Sequence, residues 1–152
     1  MSMTLNYRIG TVSFADFQSF LSEVDKEFVP PILSRIDINA YYEKLSKYAT
    51  LIECYDKEKL VGISASYDNN YETKHAFVTF IAVLKKYRGN NIAGSLLAKL
   101  EEHAKASGMK IVGIDTNNEV AKACYIKNGY KLKEQHLIKE CNLIRYYLEK
   151  EL

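Results

Sequence analysis

Between Leu5 and Val12 apolar and polar residues alternate, the period of a strand with one buried face. The period then lengthens. Phe14, Phe17, Leu21 and Val24 recur at helical spacing behind Ser13, whose hydroxyl can accept from the free amides of a first helical turn. Pro30-Pro31 ends that pattern and enforces an extended stretch, because proline fixes φ and restricts the residue before it. A second short helix starts near Asp37 or Asn39 and carries Tyr41, Tyr42 and Leu45. Leu51 to Tyr55 and Leu60 to Tyr67 read as strands on either side of a hairpin turn, Asp56-Lys57-Glu58-Lys59. Asp68-Asn69-Asn70 is a polar turn, and His75 to Leu84, rich in Val, Ile, Phe and Thr, is the third strand of this meander.

A loop follows, then a helix from about Ile92 to Ser107, closed by Gly108 in the position where a helix favours glycine. Ile111 to Asp115 reads as a buried strand. Asn118 opens another helix that ends at Gly129, and the alternating segments Tyr130 to Ile138 and Leu143 to Glu149 finish the chain as strands. The order β-α-α-β-β-β-α-β-α-β-β predicts an α/β fold: a mixed sheet with one central strand–loop–helix–strand unit.

Composition adds limits rather than chemistry. The 152 residues suit one domain with one core, and no linker or repeat divides them. A net charge of +2 gives no general attraction to nucleic acid or to a membrane surface. No run approaches the roughly 20 apolar residues of a membrane span, and Met1 to Gly10 lacks a signal-peptide pattern. Cys54, Cys124 and Cys141 have no paired ligand spacing and read as buried free thiols of a reducing cytoplasm.

The chemistry lies in the loop. A strand that runs straight into a helix leaves about four backbone N–H groups without helical partners, aimed at one spot and reinforced by the helix dipole, so an anion fits there. Gly89 and Gly94 have the spacing of a nucleoside-triphosphate loop, but Ser95 stands where its lysine belongs. A dinucleotide loop fails for want of its second glycine. The run Arg88-Gly89-Asn90-Asn91-Ile92-Ala93 instead resembles the pyrophosphate loop of the GNAT superfamily of acyl-CoA N-acyltransferases, Arg/Gln-x-x-Gly-x-Gly/Ala, with Asn91 in place of the central glycine. Asparagine is among the few residues with a side chain that enter the left-handed region readily. A second run, from Asn118 to Tyr130, resembles the later signature of the family, Asn-x-x-Ala-x-x-x-Tyr-x-x-x-Gly-Phe/Tyr.

The resemblance implies a mostly antiparallel sheet of about seven strands, helices on both faces, and a parallel pair splayed at the cofactor site. The splayed strands would be His75 to Leu84 and Ile111 to Asp115. Acetyl-CoA would be the co-substrate, with no metal. Backbone near Ala82 and Val83 would pair with the pantetheine arm and steady the oxyanion. Arg88, Gly89, Asn90, Asn91, Ile92, Ala93, Gly94 and Ser95 would hold the pyrophosphate. Tyr125 takes the position of the family's acid for the departing thiolate, against a packing role. Asn118 is expected to act mainly as a helix cap beside any contact with the cofactor.

The base is open. Phe77 and Thr79 occupy the positions where many members carry Glu or His. His75, Glu53, Asp68 and a water relay are the alternatives. His103, His136 and Glu101-Glu102 read as solvated. The acceptor is expected to be a small-molecule primary amine, with an amino sugar as one option, bound near Phe28 to Pro31 and Asp37 to Tyr42. Two rivals stand beside the N-acetyltransferase: a silent acyl-CoA-binding module, and an acyltransferase with another donor or a hydroxyl acceptor. Oligomeric state, including a homodimer, is left open.

Overall fold

The computed structural model describes residues 3–152. In chain order the elements are β1 Leu5–Ile9, α1 Phe14–Val24, α2 Ile38–Tyr48, β2 Thr50–Asp56, β3 Lys59–Tyr67, β4 His75–Val83, α3 Ile92–Ala106, β5 Ile111–Thr116, α4 Glu119–Lys127, β6 Lys131–Ile138 and β7 Leu143–Glu151. This is the order the sequence predicts. All seven strands share one sheet, β1-β2-β3-β4-β5-β7-β6, antiparallel except for the β4–β5 pair.

Local chemistry explains most boundaries. The Ser13 hydroxyl accepts from the Asp16 amide, and the Asp37 carboxylate accepts from Asn39 and Ala40, so both helices on one face begin on side-chain caps. Gly108 and Gly129 take positive φ just beyond the ends of α3 and α4. One boundary differs from expectation. The first strand stops at Ile9, not Val12, because the buried Glu53 carboxylate draws the chain into a turn. It accepts from the Gly10 amide at 2.8 Å, the Thr11 amide at 2.9 Å and the Thr11 hydroxyl at 2.6 Å. Three donors offset the cost of burying that charge.

Two layers of side chains sandwich the sheet. Phe17, Phe20, Leu21 and Val24 of α1 and Leu45 of α2 are buried on one face. Ile92, Leu96, Leu97, Leu100 and Ala104 of α3 are buried on the other. Complete burial of each such large apolar side chain contributes about 1.5–3 kcal/mol. Gly62 on β3 lets α3 approach, since a Cβ there would lie 2.9 Å from the Ile92 side chain. No helix among the described residues is long and apolar enough to cross a membrane.

Several polar groups depart from the sequence expectation. His103 is not simply solvated: its Nδ1 lies 3.0 Å from Asp68 Oδ2. Asp68 itself is buried. Glu101 accepts from the Tyr130 hydroxyl at 2.9 Å and from Lys150 at 2.7 Å, fastening α3 to the far strands. All three cysteines are free, but only Cys54 is fully buried.

By strand alternation Ser64 and Ser66 share the α3 face with Gly62. Both hydroxyls are buried without a partner among the described residues. An unpaired buried hydroxyl costs about 1–3 kcal/mol. Ser66→Ala is therefore expected to raise the melting temperature by about 2–4 °C, measured by thermal unfolding. A lower melting temperature would mean that the hydroxyl is hydrogen-bonded in solution.

Candidate active site

The parallel pairing of β4 with β5 covers four residue pairs, His75–Ile111 to Val78–Ile114, although both strands continue. The break coincides with a bulge. Across β3, Ala65 faces Phe80 and Ser66 faces Val78, so Thr79 is an extra residue. A bulge bends its strand and sharpens the local twist. Beyond it the two strands part, and β4 keeps one unpaired edge. This is the splayed pair the resemblance implies.

Which backbone groups line that edge follows from the register. Leu84 donates to the Val61 carbonyl at 2.9 Å, which makes Val61 and Leu84 a hydrogen-bonded pair. Antiparallel pairs alternate, so Ala82 turns its groups to β3 while Ile81 and Val83 turn theirs to the fork. Of the backbone expected near Ala82 and Val83, the register thus turns Val83 and its neighbour Ile81, rather than Ala82, to the fork.

Arg88 holds the mouth of the fork in shape. Its Nε and Nη2 donate to the Val83 carbonyl at 3.2 and 3.1 Å, and Nη2 also meets Glu27 Oε1 at 2.5 Å. The guanidinium is therefore first a clasp between β4, the loop and the segment after α1. Only Nη1 has no partner among the described residues.

The loop answers the question its asparagines pose. Asn91 has φ 56° and ψ 29°, squarely left-handed, and Gly89 has φ 88°. Asn91 stands at the N-cap of α3 without a side-chain cap bond. Its carbonyl accepts from the Ser95 amide at 3.0 Å. The first-turn amides of Ile92, Ala93 and Gly94 are left uncapped, whereas Ser95 has its N–H satisfied and its side chain beside Tyr7. Asn91 Oδ1 packs against Gly94, and a Cβ on Gly94 would also meet Asn128 Oδ1 at 3.2 Å. The asparagine thus replaces a glycine only because the next one is kept. The neighbouring Asn90 closes the turn by donating from Nδ2 to the Tyr87 carbonyl at 2.9 Å. Lys85 and Lys86, exposed beside this loop, add positive charge that the motif did not flag.

Tyr125 reaches the sheet from α4 and is 7% exposed. Burial pushes its phenol well above the ordinary value of about 10. The hydroxyl makes no hydrogen bond among the described residues and is not one of the sealed polar atoms. It is protonated at neutral pH, with that proton unspent. Asn118 accepts from the Ala121 amide at 2.9 Å, the cap expected of it.

The proposed bases do not converge here. His75 sits at the opposite, closed end of the parallel pair, seven residues from Ala82, or about 23 Å along an extended strand. Glu53 is consumed by Gly10 and Thr11, and Asp68 faces His103. Of the groups that border the fork, Tyr41 falls in the segment where the acceptor is expected, whereas Tyr147 was not read from the sequence. Tyr41 of α2 stands beside Thr79, and burial pushes its phenol up to about 12. Across the fork, Tyr147 of β7 leans over Gly113. The register puts Tyr147 on the sheet face of Gly113 and Phe77, the face that α2 covers with Tyr41, and the bulge shows that the fork opens between them.

The residues present fit an anionic, strand-like ligand: free amides at an uncapped helix start, and an unpaired strand edge leading from it. Asn91→Gly should retain CoA binding, whereas Asn91→Val should weaken it at least about tenfold, since a β-branched side chain is an outlier in this backbone region. Titration calorimetry with CoA checks this. Equal affinity of the valine variant would show that the loop does not need its left-handed turn.

No curated protein matches the chain in sequence. Solved structures resemble it in fold. A GNAT-family acetyltransferase of Streptococcus pneumoniae superposes with a TM-score of 0.78 at 20% identity, over 98% of this chain and 99% of that one. The PaiA N-acetyltransferase of Thermoplasma acidophilum, in complex with coenzyme A, gives 0.72 at 14% identity, over 99% and 100%. An acetyltransferase of Bacillus anthracis str. Ames, in complex with acetyl coenzyme A, gives 0.61 at 22% identity; the match covers 69% of this chain and 63%, less than two thirds, of that one. Residues 16–130 match the Acetyltransferase (GNAT) family, more than half of the chain and including both the loop and the α4 signature. The chain belongs to the GNAT acetyltransferase family.

Proposed function

We propose that this acyltransferase moves an acetyl group from acetyl-CoA directly to the primary amine of a small acceptor. The observation that carries this is the fork itself: an unpaired β4 edge that starts at the Thr79 bulge and ends at an uncapped helix N-terminus. In this reading the amides of Ile92, Ala93 and Gly94, with Lys85, Lys86 and the free Nη1 of Arg88, receive the pyrophosphate. The backbone of Ile81 and the Val83 amide, whose carbonyl Arg88 already holds, take the pantetheine arm as an added strand would be taken. Bound acetyl-CoA supplies the acetyl group as an activated thioester.

Tyr125 supplies a hydrogen bond rather than an easily lost proton. An ordinary thiol titrates near 8.5 and an ordinary phenol near 10. Burial raises the phenol further, so complete transfer from Tyr125 to a thiolate runs uphill, while donation of a hydrogen bond to it does not. No carboxylate or imidazole of the sequence-predicted set stands free at the fork to accept the amine proton, which favours its loss through water.

The test is thiol release from acetyl-CoA across a panel of amines, amino sugars and alcohols. Amine-dependent release is expected, and Tyr125→Phe should lower kcat by about 10²-fold with CoA affinity preserved, the low end of the range for a positioned acid. Hydroxyl-dependent release would replace the amine by an alcohol as acceptor. Binding of acetyl-CoA with no release for any acceptor would leave only a cofactor-binding module.

A further inference from the structure

The fork has two walls on the sheet face that α1 and α2 cover only in part, and they differ in charge. One wall is β5–β7. Gly113 pairs with Phe77, one step before the strands part, and a Cβ on it would lie 3.0 Å from the Tyr147 ring. The Tyr147 hydroxyl donates to Glu149 Oε2 at 2.9 Å. Burial, followed by that carboxylate, pushes the phenol up to about 12, so the hydroxyl keeps its proton and its oxygen stays a neutral acceptor. Tyr147 also faces Asp115 on β5 and Glu134 on β6. Of the cations on this face, Arg145 is engaged with Asp115 at 3.2 Å, and Lys131 stands opposite Glu149 in the β6–β7 register, so the acids Glu149, Asp115 and Glu134 outnumber them.

The other wall is α2 with β3 and β4. It presents Tyr41 beside Thr79, and Tyr67. The charges beside these two tyrosines are positive: Lys44 Nζ stands 5.9 Å from the centre of the Tyr67 ring, and the Arg35 guanidinium acts on the Tyr41 phenol, while the Asp37 carboxylate is committed to capping α2.

Resting on the function proposed above, we propose that the acceptor lies across this slot with its one ammonium group on the Tyr147–Glu149 pair and an uncharged or anionic remainder against Tyr41 and Tyr67. Tyr147 is the positioning residue. Its oxygen and Glu149 Oε1, which has no partner among the described residues, are two hydrogen-bond acceptors for one ammonium, and the hydroxyl's own proton is already given to Oε2. The substrate class is a mono-amine: an amino sugar, amino alcohol or amino acid. A polyamine brings a second positive charge to the wall that holds Lys44 and Arg35, which repels it.

The experiment is steady-state kinetics with glucosamine, ethanolamine, glycine and spermidine as acceptors, for the parent, Tyr147→Phe, Glu149→Gln and Gly113→Ala. The best mono-amine should exceed spermidine in kcat/KM by at least about tenfold. Tyr147→Phe and Glu149→Gln should each raise that acceptor's KM by about tenfold, the worth of a hydrogen bond to a charged group, with kcat and CoA affinity within about twofold of the parent. Gly113→Ala pushes on the ring and should raise KM in the same way. Unchanged acceptor KM in the first two variants, or a preference for spermidine, overturns the slot while the acetyltransferase stands. A folded parent that acetylates none of the four, yet acetylates other amines, also overturns it. A parent inert towards every amine overturns both.

Discussion

Everything in this molecule that bears on function depends on one interruption of hydrogen bonding. The sheet could have continued β4 and β5 as a parallel pair to their ends. Instead the extra residue Thr79 turns β4 away after the pair Val78–Ile114. An unpaired strand edge inside a sheet is normally a defect, because buried N–H and C=O groups without partners are costly. Here a neighbour fills the edge only at its mouth. The Arg88 clasp takes the Val83 carbonyl and ties it to Glu27. Tyr130, Glu101 and Lys150 fasten the far strands to α3, so the sheet holds together across its own gap.

Much of this was legible in the sequence. Period and capping residues gave every helix and strand in the right order, because Ser13, Asp37, Asn118, Gly108 and Gly129 act through their own backbone neighbourhoods. The left-handed turn at Asn91 was legible for the same reason. The long-range choices were not. That His75 lies at the closed end depends on which end of the pair splays, and that is set by a one-residue bulge with no composition of its own. That Arg88 is a clasp depends on Glu27, 61 positions earlier in the chain and part of no motif, at the end of the short helical turn Asp25–Glu27 that continues α1.

The acceptor side follows the same division. Tyr41 lies in the segment where the acceptor is expected, but Tyr147 is one residue of an alternating strand with no signal of its own. Only the fold sets them on opposite walls of the opening, with a glycine beneath one of them and cations beside the other. On the proposed reading, acceptor specificity rests on tertiary contacts, whereas cofactor recognition rests on a local motif.

The central claim, that the fork receives the cofactor, is most directly tested by amide hydrogen exchange with and without CoA. The account predicts slower exchange at Ile81, Val83 and Ile92 to Gly94, with no change at the closed end from His75 to Val78. Protection confined to the closed end, or none at the fork under saturating CoA, would contradict it.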